Sequence, residues 1–554
     1  METYTKCPKL PWMIDFHSTA AGREKYPIFN SQLQAAFAPT SIEHSINLNT
    51  RSKVSKKRLT SIICTVDRNT HSAENFQCMM EAGMCAIRIK IGDLTHIECN
   101  DVIQTIREAI DKYSTKIGCV YSLPIGIEIK GSDIRIGTLK QNFPQEITLT
   151  KGNPVSLTVD PGYEELVTET MIYVDYPNMI ELIAPEDRIY INNGKIRLSV
   201  TEIVGDEVKC FVETSGKLVS NCNIRFPDFP VDVPEISEQD LSDIMFAINE
   251  KIDIMFVPGM KTRESVKKLK AFLGSEGQHI MIISKIDSFQ ALLNVQGIVD
   301  ESDGVVINRI ALAIDLPEEK VFLAQKSIVG YCNKVGKPVI CSSQILESLI
   351  TSGAQPSSSE ICDIANAVID GIDGFLLSRE ISMGEDPVQA ISKLSSICRE
   401  AEAAVYQKQV FSELSDTAVV PLEPIYSLAI SAVQVSQKCN AAAIVVLTTS
   451  GRSAKIITRF RPRCPVIAIT RLGHVARQLH LYRGIDPLQY IKPTHFCWCR
   501  DADDRMQYGI TWGKVNGFIR VGDAIVILAA ARPGVGFTNF IQVIYASEFD
   551  TIPS

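Results

Sequence analysis

Eight short runs of apolar and β-branched residues set the limits on what this chain can fold into: SIICTV (61–66), CAIRIKI (85–91), PIGIEIK (124–130), DIMFVP (253–258), IMIISK (280–285), GVVINR (304–309), PVICSS (338–343) and GFLLSR (374–379). Runs this short and this continuously apolar suit parallel strands buried on both faces, which need crossover helices between them. Segments of helical period fill most of the gaps, among them AENFQCMMEAG, EQDLSDIMFAINEK, ESVKKLKAFLG, PEEKVFLAQKSIVGYCNKVG and SEICDIANAVIDG. Eight strands alternating with helices predict an α/β fold built on a (β/α)8 TIM barrel.

One gap breaks the alternation. Between the third and fourth runs lie about a hundred residues of alternating Val, Ile and Thr with turn residues (IYVDYP, RIYINNGKIRLSV, EVKCFVE), closing in the Pro-rich FPDFPVDVPEIS. These predict an inserted β-barrel lid domain over one end of the barrel. Beyond residue 400, CREAEAAVYQKQVFSEL leads into AAAIVVLTTSGRSAKIITRFRPRCPVIAITR and AIVILAAARPGVGFTNFIQVIYA, which predict a separate C-terminal α/β domain. The expected organisation is an N-terminal arm (1–45) with a short helix around SQLQAAFA, barrel segments at 46–130 and 234–400, the lid at 131–233 and the C-terminal domain at 401–554.

Three or four packed units are expected for 554 residues with 45% hydrophobic and 22% charged content. A net charge of −8 and a pI near 5.7 argue against nucleic acid or an anionic membrane as the main partner, and favour small molecules or copies of the same chain. The sixteen cysteines are scattered through apolar runs such as those of Cys64, Cys85 and Cys341, with no C-x-x-C pair, and read as reduced core residues. Cys497 and Cys499 flank Trp498 without two further ligands at zinc spacing, so no metal is expected there. METYTKCPKLPWMIDF lacks a basic start followed by a long apolar run, and no window approaches a membrane span, so a cytoplasmic protein is expected.

In a barrel of this kind, function sits at the carboxyl ends of the strands. Those ends carry Arg88, Lys90, Lys130, Lys285 and Arg309, with Glu128, Asp287, Glu380, Asp93 and Asp133 nearby. A buried strand carries a cation only where it reaches a partner, a ligand or water. Two readings follow: a ring of mutual ion pairs, or a site for an anionic, phosphorylated substrate. A second signal lies in AAAIVVLTTSGRSAKIITRF, where a strand meets a turn of small hydroxyl residues ahead of a helix. Helix N-terminal amides with Ser and Thr hydroxyls can cradle a phosphate, and the same residues can simply cap the helix.

Taken with their neighbours, IICTV, EAGMCAIRI, IISKID, PEEKVFLAQK, GKPVICSSQILESLI, DIANAVIDG, CREAEAAVY, SGRSA, RPRCPVIAITR, HLYRG and RPGVGFTN resemble pyruvate kinases over nearly the whole chain. The resemblance implies a three-domain subunit, usually in a homotetramer, that transfers phosphoryl from phosphoenolpyruvate to ADP, giving pyruvate and ATP in glycolysis with Mg2+ and usually K+. It implies that Arg88 grips the substrate phosphate, Lys285 stabilises the transferring charge, Ser343 keeps a hydroxyl near the enolate, and Arg135 serves the nucleotide.

The departures from the family pattern are specific. The two carboxylates that hold Mg2+ in the family correspond here to Asp287 and Ala311, so one is shortened and one is absent, which implies a weakened site. The K+ ligands correspond to Lys90, Gly92, Glu128 and Ile129, so a Lys90 ammonium is expected to take the place of K+. The lid shows Asn192, Asn193 and Asn221-Cys222-Asn223 where the family has acidic and basic pairs, and Arg379-Glu380-Ile381 replaces a Gly-Glu-Thr segment. In the C-terminal domain, Thr448, Ser450, Arg452 and Ser453 match a sugar-phosphate cradle, and Trp498, Arg505, Arg532, Gly534 and Gly536 match the other side of that effector pocket, with departures at Thr449 and Ala531. The expected function is pyruvate kinase-type phosphotransfer with reduced activity. The alternative is an inactive paralogue, a regulatory or structural subunit that binds a sugar bisphosphate and assembles with itself or with an active relative.

Overall fold

The structure, a computed structural model, describes residues 32–66, 72–131, 134–140, 146–192, 194–226, 236–350, 355–382, 384, 386–532, 538–548 and 550. Strands β1 (Ser61–Val66), β2 (Ala86–Lys90) and β3 (Ile125–Glu128) precede the inserted segment. Within it lie β4 (Glu146–Leu149), β5 (Pro154–Thr158), β6 (Met171–Tyr173), β7 (Arg188–Ile191), β8 (Ile196–Val204), β9 (Glu207–Thr214), β10 (Gly216–Val219) and β11 (Ile224–Arg225). The barrel resumes with β12 (Ile254–Val257), β13 (Met281–Ile286), β14 (Gly304–Asn308), β15 (Val339–Ser342) and β16 (Gly374–Leu377).

These eight strands close in the order β1-β2-β3-β12-β13-β14-β15-β16, all parallel, with Ser61 in register with Gly374 across the seam. Each coincides with one of the eight apolar runs. Ladders stop where the runs turn charged: β3 ends at Glu128, leaving Lys130 beyond it. Between strands, the helices His96–Ile117, Glu238–Asn249 and Ser358–Asp370 each begin with a reciprocal capping box, set by Thr95 with Glu98, Ser237 with Asp240 and Ser357 with Glu360.

Inside the barrel, Ile63, Ile254, Phe256, Ile283, Val306, Ile340 and Leu376 join a core that continues into the C-terminal domain. Gly126 is required by that packing, since a Cβ there would lie 2.6 Å from the Phe256 ring. A separate outer core packs the crossover helices against the strands.

The inserted segment forms a six-stranded sheet, β11-β7-β8-β9-β5-β6, beside a two-stranded one, β10-β4, around a core of its own. Beyond the barrel, β17 (Ala443–Leu447), β18 (Val466–Thr470), β19 (Ile485–Gln489), β20 (Ala524–Ala530) and β21 (Thr538–Tyr545) make a sheet in the order β19-β18-β17-β20-β21, parallel except for β21. A short helix, Leu33–Ala36, stands in SQLQAAFA. No helix among the described residues is long and apolar enough to cross a membrane. The described cysteines are all free, but Cys78, Cys362, Cys497 and Cys499 are exposed, so only part of the set belongs to the core.

Candidate active site

Parallel pairing brings the charged strand ends to one rim. Lys90 on β2 is in register with Glu128 on β3, so both point to the same side of the barrel wall. Arg88, two residues earlier, shares that face and is 3% exposed. Its Nε and Nη2 donate to Thr65 Oγ1 at 2.9 and 2.6 Å, Nη2 also donates to Ser378 Oγ at 3.0 Å, and Nη1 donates to Glu128 Oε2. From β13, Lys285 Nζ donates to Glu128 Oε1 at 3.1 Å. One buried carboxylate therefore fixes two cations. Burial pushes the Glu128 carboxyl up, but Arg88, Lys285 and Lys90 outweigh it and hold the group well below the usual carboxylate range.

Asp287 follows the end of β13, is 2% exposed, and accepts from Gly259 N–H at 3.2 Å. It also meets a cation from the lid: Arg225, at the end of β11, donates from Nη1 to the Asp287 backbone oxygen at 2.6 Å and places Nη2 3.8 Å from Oδ2. Beside this, the end of the neighbouring strand β14 carries a neutral group. Asn308 Oδ1 caps the helix Arg309–Asp315 through Ala311 N–H at 3.4 Å and accepts from Ser343 Oγ at 3.1 Å. Ala311 itself is a fully buried methyl. Asp315 accepts from Phe289 N–H at 2.9 Å on that helix's far end.

Arg309 departs from the expectation of a cation reaching the mouth. It is 7% exposed, pairs with Asp363 at 2.6 Å and donates to the backbone oxygens of Ser343 and Gln344, both at 2.9 Å from Nη2. Ser343, Gln344 and Leu346 adopt positive φ of 72°, 55° and 53°, and the Arg309 clamp holds this strained turn in place. Lys130 pairs with Asp175 at 2.9 Å, Arg135 N–H donates to the same carboxylate at 2.6 Å, and Arg135 Nη1 reaches Gly92 O at 3.3 Å. Glu380 is drawn into its own turn, accepting from Ser378 N–H at 2.8 Å, and burial pushes its carboxyl up. Mutual ion pairs thus hold four of the five strand-end cations, Lys130 with Asp175, Arg309 with Asp363, and Arg88 and Lys285 with Glu128, which Lys90 faces from β2. Asp133, Asn193 and the Asp93 side chain lie outside the described residues.

Among the described residues, no three His, Cys, Asp or Glu side chains come together as metal ligands. Asp287 faces Arg225. Ile129 is a buried hydrocarbon, Gly92 offers no side-chain oxygen, and Glu128 accepts from Arg88 and Lys285.

In the C-terminal domain, Thr448, Ser450, Arg452 and Ser453 fall on the turn from β17 into the helix Arg452–Arg459. No side chain caps that helix at its N-cap, Gly451; instead Thr448 Oγ1 accepts from Gly451 N–H at 3.0 Å. Ser453 shares a hydrogen bond of 3.0 Å with Thr538 at the start of β21. Arg452 forms a bidentate pair with Glu423 at 2.9 and 2.6 Å. On the other side, Trp498 Nε1 donates to Ala530 O at 3.2 Å, and the Arg505 guanidinium lies 5.2 Å from the Trp498 ring centre while pairing with Asp501 at 2.9 Å. One half thus reaches the start of β21 and the other the end of β20. Arg532 is exposed there, and Gly534 and Gly536 lie outside the described residues.

Residues missed by sequence reasoning include Thr65, Ser378, Asn308, Asp175, Arg225 and Thr538. Thr65 and Ser378 sit at or just past strand ends and were accessible to the same rule that selected the cations. Arg225 was not, since it reaches Asp287 from the lid across 62 positions of sequence.

A closed eight-stranded parallel barrel with an inserted β lid and a C-terminal α/β domain defines a multidomain (β/α)8-barrel protein with paired arginine and lysine at its rim. The family model for the pyruvate kinase barrel domain matches residues 57–391, and that for the pyruvate kinase alpha/beta domain matches residues 426–544. Pyruvate kinase PKLR of Homo sapiens is 41% identical over 516 residues, covering 93% of this chain and 90% of the relative. Pyruvate kinase 1 of Trypanosoma brucei brucei is 33% identical over 91% of this chain and 99% of its own, and the pyruvate kinase of Candida albicans 32% identical over 90% and 98%. The chain belongs to the pyruvate kinase family.

Proposed function

We propose that the barrel mouth binds phosphoenolpyruvate and ADP and performs pyruvate kinase-type phosphotransfer at reduced turnover. In this reading Arg88 grips the phosphate, Lys285 neutralises charge on the transferring group, Ser343 orients the proton delivered to the enolate carbon, and Arg135 serves the nucleotide. Lys90 takes the electrostatic role of K+, and the requirement for Mg2+ is weakened by the loss of a carboxylate at Ala311. The observation that carries the reading is the Glu128 node, a single carboxylate on β3 that holds both Arg88 of β2 and Lys285 of β13 in place. Preorganised charge of this kind supplies much of the barrier reduction in phosphoryl transfer.

Steady-state ATP formation tests it. Lys285→Met is expected to lower turnover by about a hundredfold or more while phosphoenolpyruvate binding changes by less than about tenfold. Equal, low background rates for the unmodified chain and the variant would overturn it.

A second reading, a non-catalytic subunit that senses a sugar bisphosphate, is favoured by the buried Ala311 methyl at the metal position and by the intact Thr448–Ser453 turn. The proposed setting is cytoplasmic and oligomeric, a homotetramer or a hetero-oligomer with an active paralogue. Catalytic silence combined with saturable sugar bisphosphate binding would select this reading over the first.

A further inference from the structure

The strongest feature outside the family pattern is the lid-borne Arg225 guanidinium beside the Asp287 carboxylate that follows β13. We infer that Arg225 serves as a tethered cation in place of the divalent metal, so that the barrel mouth binds a phosphorylated three-carbon acid without an inorganic cation. This rests on the reading of the mouth as a phosphoenolpyruvate site.

Charge at the mouth agrees with it. Arg88 and Lys285 pair with Glu128, and Arg225 faces both Asp287 and Asp315. A phosphate monoester carries roughly −1.5 to −2 at neutral pH, to which the acid adds its carboxylate, so such a ligand meets several fixed cations here.

Geometry supports it independently. Arg225 Nη1 is anchored on the Asp287 backbone oxygen at 2.6 Å, while Nη2 stands 3.8 Å from Oδ2, too far for a hydrogen bond and close enough for charge pairing. Asp287 Oδ2 also takes Gly259 N–H at 3.2 Å, which leaves the carboxylate held between a donor and a cation. A divalent ion at that carboxylate would meet the guanidinium as a like charge. After the neighbouring strand β14, the family's second carboxylate is replaced by the buried Ala311 methyl, and the Asn308 amide caps the helix that carries it. Removal of one ligand and arrival of a cation on the other act in the same direction. A guanidinium also has the planar donor array that suits a phosphate or a carboxylate.

Two measurements on the full chain test this. Phosphoenolpyruvate binding is followed by titration calorimetry in EDTA and in excess Mg2+, and direct Mn2+ binding by the paramagnetic resonance signal of the free ion. In the unmodified chain, affinity for phosphoenolpyruvate is expected to differ by less than about threefold between EDTA and Mg2+, and to fall about tenfold or more in EDTA for Arg225→Asn. Mn2+ is expected to bind the double variant Ala311→Asp with Arg225→Asn about tenfold or more tightly than Ala311→Asp alone. Binding of phosphoenolpyruvate that requires Mg2+ in the unmodified chain, or equal Mn2+ affinity in the single and double variants, would overturn the inference. Absence of phosphoenolpyruvate binding under every condition would overturn the site reading on which it rests, a result told apart by the Mn2+ arm, which needs no substrate.

Discussion

Lys90 and Glu128 stand opposite each other on β2 and β3, a basic and an acidic residue paired across the barrel wall. The ammonium contributes to holding the Glu128 carboxylate ionised, alongside Arg88 and Lys285. In the proposed reading, this fixed side-chain charge stands in for a soluble monovalent ion. ATP formation by the unmodified chain is expected to change by less than about twofold when K+ is exchanged for tetramethylammonium, whereas Lys90→Asn is expected to slow and to gain K+ stimulation. A marked K+ requirement in the unmodified chain would contradict this.

Glu128 also ties stability to pH. Its folded-state pKa lies below the ordinary 4.5, so its contribution is complete above that value and fades as the pH falls toward the lower, folded-state value. Removing the charge leaves Arg88 and Lys285 buried without their shared partner. Glu128→Gln is expected to lose about 3–5 kcal/mol at neutral pH, with the gap to the unmodified chain narrowing below about pH 4.5. Urea denaturation at a series of pH values measures both features.

At the other end of the barrel, Asp373 fastens the C-terminal domain. Its Oδ1 lies 3.1 Å from Arg461 Nη1, and its Oδ2 accepts from Arg461 Nη2 at 3.2 Å and from Val339 N–H at 2.9 Å. Asp373→Ala strands a buried guanidinium and an amide. A loss of about 3 kcal/mol or more in chemical denaturation is expected, with no shift in the affinity for phosphoenolpyruvate.

The turn at Thr448–Ser453 is open at Ser450, which is exposed ahead of the helix Arg452–Arg459. Placing a carboxylate there repels a phosphate without disturbing packing. Ser450→Glu is expected to weaken sugar bisphosphate binding by about tenfold or more in titration calorimetry and to leave the melting temperature unchanged. Unaltered binding would place any effector elsewhere.

Periodicity and burial made the barrel legible in sequence, because the strands are largely apolar on both faces and most of their ends carry a charge. The sites were legible only as residue types. Arg309 reads like Arg88 in sequence, yet one clamps the strained turn at Ser343 and the other faces Thr65, Ser378 and Glu128. Strand-end position does not encode which way a long side chain is drawn. Arg225 was hidden for a different reason: its significance arises from where an inserted domain docks, a tertiary relationship that leaves no local pattern.

In the proposed reading the chain is a phosphotransferase whose metal site is weakened at Ala311. Phosphoenolpyruvate-dependent ATP formation, titrated with Mg2+ for the unmodified chain and for Ala311→Asp, tests it most directly. Slow turnover with weak Mg2+ dependence is predicted for the unmodified chain, with a rise of about tenfold or more at saturating Mg2+ once the carboxylate is present. Equal turnover and equal Mg2+ half-saturation in the two proteins would contradict the account.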